Sequence, residues 1–122
     1  MDTTSISISG PAIAESQQLS ITIEIEANVR VSAREAQRNV TAWLLDNVGH
    51  LAMADPPRLM LGTRTAWRVP VMLSSPHHPP IGPIGVIDVD VQTGEVLASP
   101  ETTEKLISDG RAFSRSVSSA GD

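Results

Sequence analysis

The chain has no cysteine, no tyrosine and only one phenylalanine and two tryptophans in 122 residues. Without cysteine there is no disulfide framework and no thiolate nucleophile, and a zinc site would need histidine and carboxylates alone. Because the aromatics are confined to Trp43, Trp67 and Phe113, the core must be aliphatic, and stacking platforms for single-stranded nucleic acid are missing. No run approaches the roughly 18 apolar residues of a membrane span. The start, MDTTSISISGPAIAESQQ, has neither the basic flank nor the unbroken apolar stretch of an export signal. These absences make a soluble cytoplasmic chain the expectation, with no membrane partner.

What is present suits one domain, because 40% hydrophobic residues can fill a modest core. The net charge of −5 disfavours a phosphate-binding surface, so nucleic acid is not the expected partner. The charge is unevenly spread. Arg30, Arg34, Arg38, Arg58, Arg64 and Arg68 share their stretch with only Glu35, Asp46 and Asp55. Asp88, Asp90, Glu95, Glu101 and Glu104 share theirs with no base. The plain reading is two solvated faces; the functional one is a charged protein partner.

Residues 1–18, rich in Ser, Thr and Gln, read as a flexible arm, 19–115 as the single domain, and 116–122 as a disordered tail. SITIEIEANV alternates, which predicts a half-buried strand with Ile21, Ile23 and Ile25 on one face. Ser32-Ala33-Arg34-Glu35 fits a capping box, and apolar residues at 33, 36, 40, 43, 44 and 48 predict a helix ending at Gly49. Asp55-Pro56-Pro57 breaks the chain. RLMLGTRTAWRVPVML then reads as two short strands, or one bent at Gly62. Pro70 lacks a ladder donor, so it is expected at an edge or at an unpaired position.

SSPHHPPIGP reads as a proline-stiffened loop, followed by a strand from Ile84 or Gly85 to Val91. Ile87, Val89 and Val91 point in, while Asp88 and Asp90 point out. Gln92-Thr93-Gly94-Glu95 is a turn, Val96-Leu97-Ala98 its returning strand, and Ser99-Pro100-Glu101 the start of a helix reaching about Ser108. Gly110 either ends that helix or weakens it. The expected fold is α+β: an antiparallel sheet of about four or five strands against one main helix, plus a short C-terminal helix. Trp43 and Trp67 are expected to meet between helix and sheet.

The order helix, then Trp67-Arg68-Val69-Pro70-Val71, then Gly85-Val86-Ile87-Asp88-Val89-Asp90, then Thr93-Gly94-Glu95-Val96, resembles a PepSY-like domain over about residues 32–98. The resemblance implies a non-catalytic module that binds or restrains another protein. The chain departs from that family's pattern in lacking the export signal common there and in adding an N-terminal strand and a C-terminal helix. The missing signal makes an antitoxin-like partner of a cytoplasmic toxin an alternative.

Candidate chemistry is sparse. Asp88 and Asp90 would share a strand face at roughly 6–7 Å, a spacing suited to a cation or an acid/base pair. The alternation that aligns them also places them in water, where both ionise. With His77 and His78 they form the alternative of a metal-dependent acid/base enzyme. No known catalytic motif is present, so the expectation is no enzyme, no cofactor and no metal. Protein contact is expected instead, with another protein or with a second copy through a sheet edge. The residues named for it are Ile21, Ile23, Ile25 and Pro70 at strand edges, His77 and His78 in the loop, and Leu106, Arg111, Phe113 and Arg115 along the C-terminal helix.

Overall fold

The structure, a computed structural model, describes residues 27–62 and 64–120. The expected N-terminal arm, the strand carrying Ile21, Ile23 and Ile25, and the final two residues lie outside the described residues. The first helix, α1 (Ala33–Asn47), begins where Ser32 Oγ accepts the Glu35 amide at 3.1 Å, the serine half of the capping box. Its buried residues Ala33, Ala36, Val40 and Leu44 follow helical spacing, and Arg34 and Arg38 lie exposed. The helix ends where the Val48 and Gly49 amides both donate to the Leu44 carbonyl at 2.8 Å.

Five antiparallel strands follow: β1 (Ala52–Ala54), β2 (Arg58–Met60), β3 (Ala66–Ser75), β4 (His78–Asp90) and β5 (Val96–Leu97). The order is β1-β3-β4-β5, with β2 paired to the other half of the β3 edge that holds β1. The last element is α2 (Pro100–Ala120). The class is therefore α+β, as the pattern of the sequence implied.

Alternation along β3 sends Trp67, Val69, Val71 and Leu73 into the core, joined by Ile87 and Val89 of β4 and by Ala52 and Ala54 of β1. Val40 and Leu44 from α1, and Leu106 and Phe113 from α2, complete the same cluster, so both helices cover one face of the sheet. Fully burying a side chain such as Leu44, Leu73, Ile87 or Leu106 stabilises the fold by about 1.5–3 kcal/mol each. Trp67 fixes the register of helix on sheet, because its indole N–H donates to the Val31 carbonyl at 2.7 Å, just ahead of α1. Trp43 lies three turns further on, roughly 15 Å along the axis at ~1.5 Å per residue. The tryptophans thus occupy opposite ends of α1, and the aromatic contact of the described residues is instead His78 on Phe113, edge to face at 6.2 Å.

Three further expectations are corrected. Pro70 is not on an edge: β3 is an interior strand, with Val86 of β4 opposite Pro70 and the β1/β2 track on the other side. Its carbonyl accepts the Asp55 amide at 2.9 Å. In a strand, N and C=O of one residue point the same way, so the missing donor faces the break at Asp55-Pro56-Pro57 and leaves no ladder partner stranded. On the side of β1 and β2, where no strand residue is in register with Pro70, the second alternative, an unpaired position, is the one realised.

SSPHHPPIGP is mostly strand rather than loop. Ser75 pairs with His78 and Leu73 with Ile81, so only Pro76 and His77 form the turn. Proline suits extended backbone, and the irregular register between Val71 and Ser75 absorbs its missing donors. Finally, α2 does not stop near Ser108 but runs through Gly110 and 116–120. A Cβ at Gly110 would sit 3.3 Å from Val48 Cγ1, so the glycine lets α2 cross close to the end of α1. The helix continues there despite a propensity cost of about 1 kcal/mol.

Candidate functional site: the uncovered face of the sheet

With both helices on one side, the other side of the sheet carries no helix among the described residues. Residues paired across antiparallel strands share a face. The pairs Met53 with Met72, Arg58 with Arg68, Met60 with Ala66, Pro70 with Val86, Arg68 with Asp88 and Asp88 with Leu97 therefore all lie on the open side. Every methionine after Met1 stands on this face. Met53 is 38% exposed and Val86 46%. The Met53 sulfur accepts from Ser74 Oγ at 3.2 Å.

The face has two ends. Met53, Met72, Pro70 and Val86 make an apolar end. The other end is charged: Arg68 forks onto Asp88 with Nε at 3.1 Å from Oδ1 and Nη2 at 3.3 Å from Oδ2, while Arg64 reaches Asp90 at 3.5 Å. The hydrogen bond to Asp88, then its charge, raises the Arg68 pKa above the usual guanidinium value. Asp90 also holds the following turn, its Oδ1 accepting the Gln92 amide at 2.8 Å and the Thr93 amide at 2.9 Å. The Thr93 and Gln92 amides lower its pKa most, with a smaller contribution from Arg64. Gly94, at φ +78°, closes that turn, and its carbonyl accepts Asn39 Nδ2 of α1 at 3.0 Å. The two aspartates thus have structural partners: one neutralises a guanidinium and the other anchors a hairpin.

The histidines are elsewhere. His77 is exposed at the β3–β4 turn; His78 accepts from or donates to Ser75 Oγ through Nδ1 at 3.0 Å and lies against Phe113 on the covered side. Asp88 is roughly 30 Å further along β4 at ~3.3 Å per residue, on the opposite face. His77, His78, Asp88 and Asp90 are therefore not brought together. No group of three or more potential metal-ligating side chains is assembled among the described residues.

The residues expected to meet a partner divide in the same way. Leu106 is fully buried and Phe113 is 9% exposed, both within the cluster under the sheet, so they pack on their own domain and are not available to a partner. Their spacing on α2 makes a stripe, and the nearest apolar surface, the sheet itself, takes it up. Arg111 and Arg115 remain exposed on the outer side of α2, without an ion-pair partner among the described residues. Arg111 also joins His50 and Ser114 around a cleft of about 210 Å³ between α2 and the α1–β1 turn.

At each sheet edge, expected to accept a strand, one carbonyl is taken by a helix side chain. Gln37 of α1 donates to the Ala54 carbonyl of β1 at 2.9 Å, and Lys105 of α2 donates to the Ile84 carbonyl of β4. Pro56 and Pro57 interrupt one outer track, and Pro79, Pro80 and Pro83 remove donors from the other. Short strands, proline and lysine are the usual protections against edge pairing. The open face carries the exposed side chains of Met53 and Val86. It went unnoticed in the sequence because Met53, Met60 and Met72 come from three strands that only the cross-strand register aligns. No helix among the described residues is long and apolar enough to cross a membrane. No protein family, curated protein or solved structure matches this chain.

Proposed function

We propose that the chain is a small non-catalytic protein-binding or regulatory module of the cytoplasm, PepSY-like in its helix-on-meander plan, and that it binds through the uncovered sheet face. The observation that carries this reading is the apolar end of that face, where Met53, Met72, Pro70 and Val86 sit together with Met53 and Val86 substantially exposed. Methionine is flexible and polarizable, and surfaces that accept protein partners over-use it because it repacks around different shapes. Exposed apolar side chains gathered on one face, rather than scattered singly, are the usual mark of an interaction site. The charged end supplies orientation more than affinity.

The test is a comparison of two baits in the native host, the unaltered chain and Val86→Lys. Val86 is half exposed, so the lysine leaves the fold intact, as circular dichroism and thermal melting would check. The expected outcome is loss of the captured protein with the variant. Equal capture by both baits would reject the face as the binding surface.

A further inference from the structure

We infer that the occupant of this face is a second copy of the chain, stacked sheet on sheet about a two-fold axis that runs parallel to the strands between β3 and β4. This rests on the reading of the open face as the binding surface and names its partner. The argument is charge complementarity. Across the charged end, the register aligns Arg58 on β2, Arg68 on β3, Asp88 on β4 and Leu97 on β5 in one row. Rotation about the stated axis exchanges β3 with β4. It places Arg68 over the second copy's Asp88, and Asp88 over the second copy's Arg68. Opposite signs then meet twice, and Arg58 falls over the apolar Leu97, along which its aliphatic stem can lie.

The next row follows the same operation. Pro70 and Val86 are cross-strand partners, so each lies over the other in the second copy, while Met53, whose row has no β5 residue, falls at the rim. A two-fold axis perpendicular to the strands keeps each strand over itself, so at the charged row it sets Arg68 over Arg68 and Asp88 over Asp88, and displaced toward Pro70 it lays the charged row over the apolar one. Isologous contacts of this kind need a surface complementary to itself, and only the first axis provides it. Edge-to-edge pairing, the other route to a dimer of sheets, meets the Gln37 and Lys105 contacts and the prolines.

The area makes the dimer a weak one. Two full tracks, β3 and β4, spaced at ~4.8 Å and used over ~25 Å, with the two residues of β5 over β2, present about 300 Å² per copy. Two copies bury about 600 Å², below a standard interface, so the association is transient and strongly concentration-dependent.

The experiment is sedimentation velocity on the purified full chain across a concentration series, with two variants. The unaltered chain should move from monomer to dimer as concentration rises. Val86→Lys should weaken the dimer by about tenfold or more, because it places a lysine at the centre of the apolar contact. The double variant Arg68→Asp with Asp88→Arg keeps the pair within each copy and also keeps opposite signs across the two-fold axis. It should therefore dimerise with itself as the unaltered chain does. Mixed with the unaltered chain, it sets like charges over like, so mixed dimers should be depleted below the statistical share when tagged forms are co-purified.

Free mixing of the two forms, or a monomer at every concentration, would overturn the inference. A chain that stays monomeric while Val86→Lys still abolishes capture of a host protein overturns self-pairing and leaves the open face as a binding surface. A dimer that survives Val86→Lys unchanged overturns this interface.

Discussion

Asp90 joins two networks, the turn that closes β4 onto β5 and the ion pair with Arg64. Its depressed pKa links hairpin stability to pH, and the sign follows from the direction. A carboxylate whose folded pKa lies below its unfolded value, about 3.9, contributes stability that is fully present above that value. The contribution is lost as pH falls through the folded pKa. Asp90→Asn keeps an amide oxygen for the Gln92 and Thr93 amides but cannot titrate. The unaltered chain should therefore be the more resistant to urea at neutral pH, and its advantage over Asp90→Asn should shrink below about pH 4. A difference in unfolding midpoint that stays flat from neutral to acid pH would contradict the assignment. The same residue shows what alternation leaves out: it sets Asp90 facing out, and backbone amides two and three residues on supply its partner.

Among the elements, α2 depends on the sheet more than its polar surface suggests. Leu106 lies against Gly85, where an added Cβ would come within 3.2 Å of the leucine Cδ2, so glycine on β4 and leucine on α2 are fitted to each other. Leu106→Ala should cost about 2–5 kcal/mol, read as a lowered urea midpoint, and should expose the underside of the sheet to a hydrophobic dye. A loss below about 0.5 kcal/mol, the range of a surface substitution, would mean that α2 is not docked there. How far these elements were legible depended on the range of the interaction that makes them. The start of α1 at Ser32, the turn at Gly94 and the start of α2 at Ser99 are local, and their residues announce them; the amide contacts at Ser32 and Ser99 are the expected ones. Past Gly110, α2 crosses close to Val48, far away in the chain, and packs Phe113 into the core. The interior place of Pro70 depends on a break in a neighbouring strand. Strand β1, only Ala52–Ala54, is too short to show a period. The uncovered face was hidden for the same reason, since it consists of registers rather than motifs.

For the whole molecule the question is how a chain of net charge −5 would associate with itself. Part of the uneven charge of the sequence falls on adjacent strands of one face: Arg58, Arg64 and Arg68 lie on or beside β2 and β3, Asp88 and Asp90 on β4. Net repulsion acts between molecular centres, which for two stacked domains of this size are about 25–30 Å apart. Contacts between the opposing Arg68 and Asp88 rows act at about 4 Å, where each pair gains on the order of 1 kcal/mol even in high dielectric. At ~0.1 M salt the screening length of ~10 Å already removes most of the net repulsion and spares the close pairs. Raising salt to ~1 M shortens that length to ~3 Å and erodes the pairs themselves. The dimer should therefore weaken between those two conditions, measured by sedimentation of the same chain at both. Val86→Lys should show little further salt effect, because its contact is already opened at the apolar centre. Association that strengthens at the higher salt would assign the driving force to the methionine end alone and remove the charged row from the register of the interface.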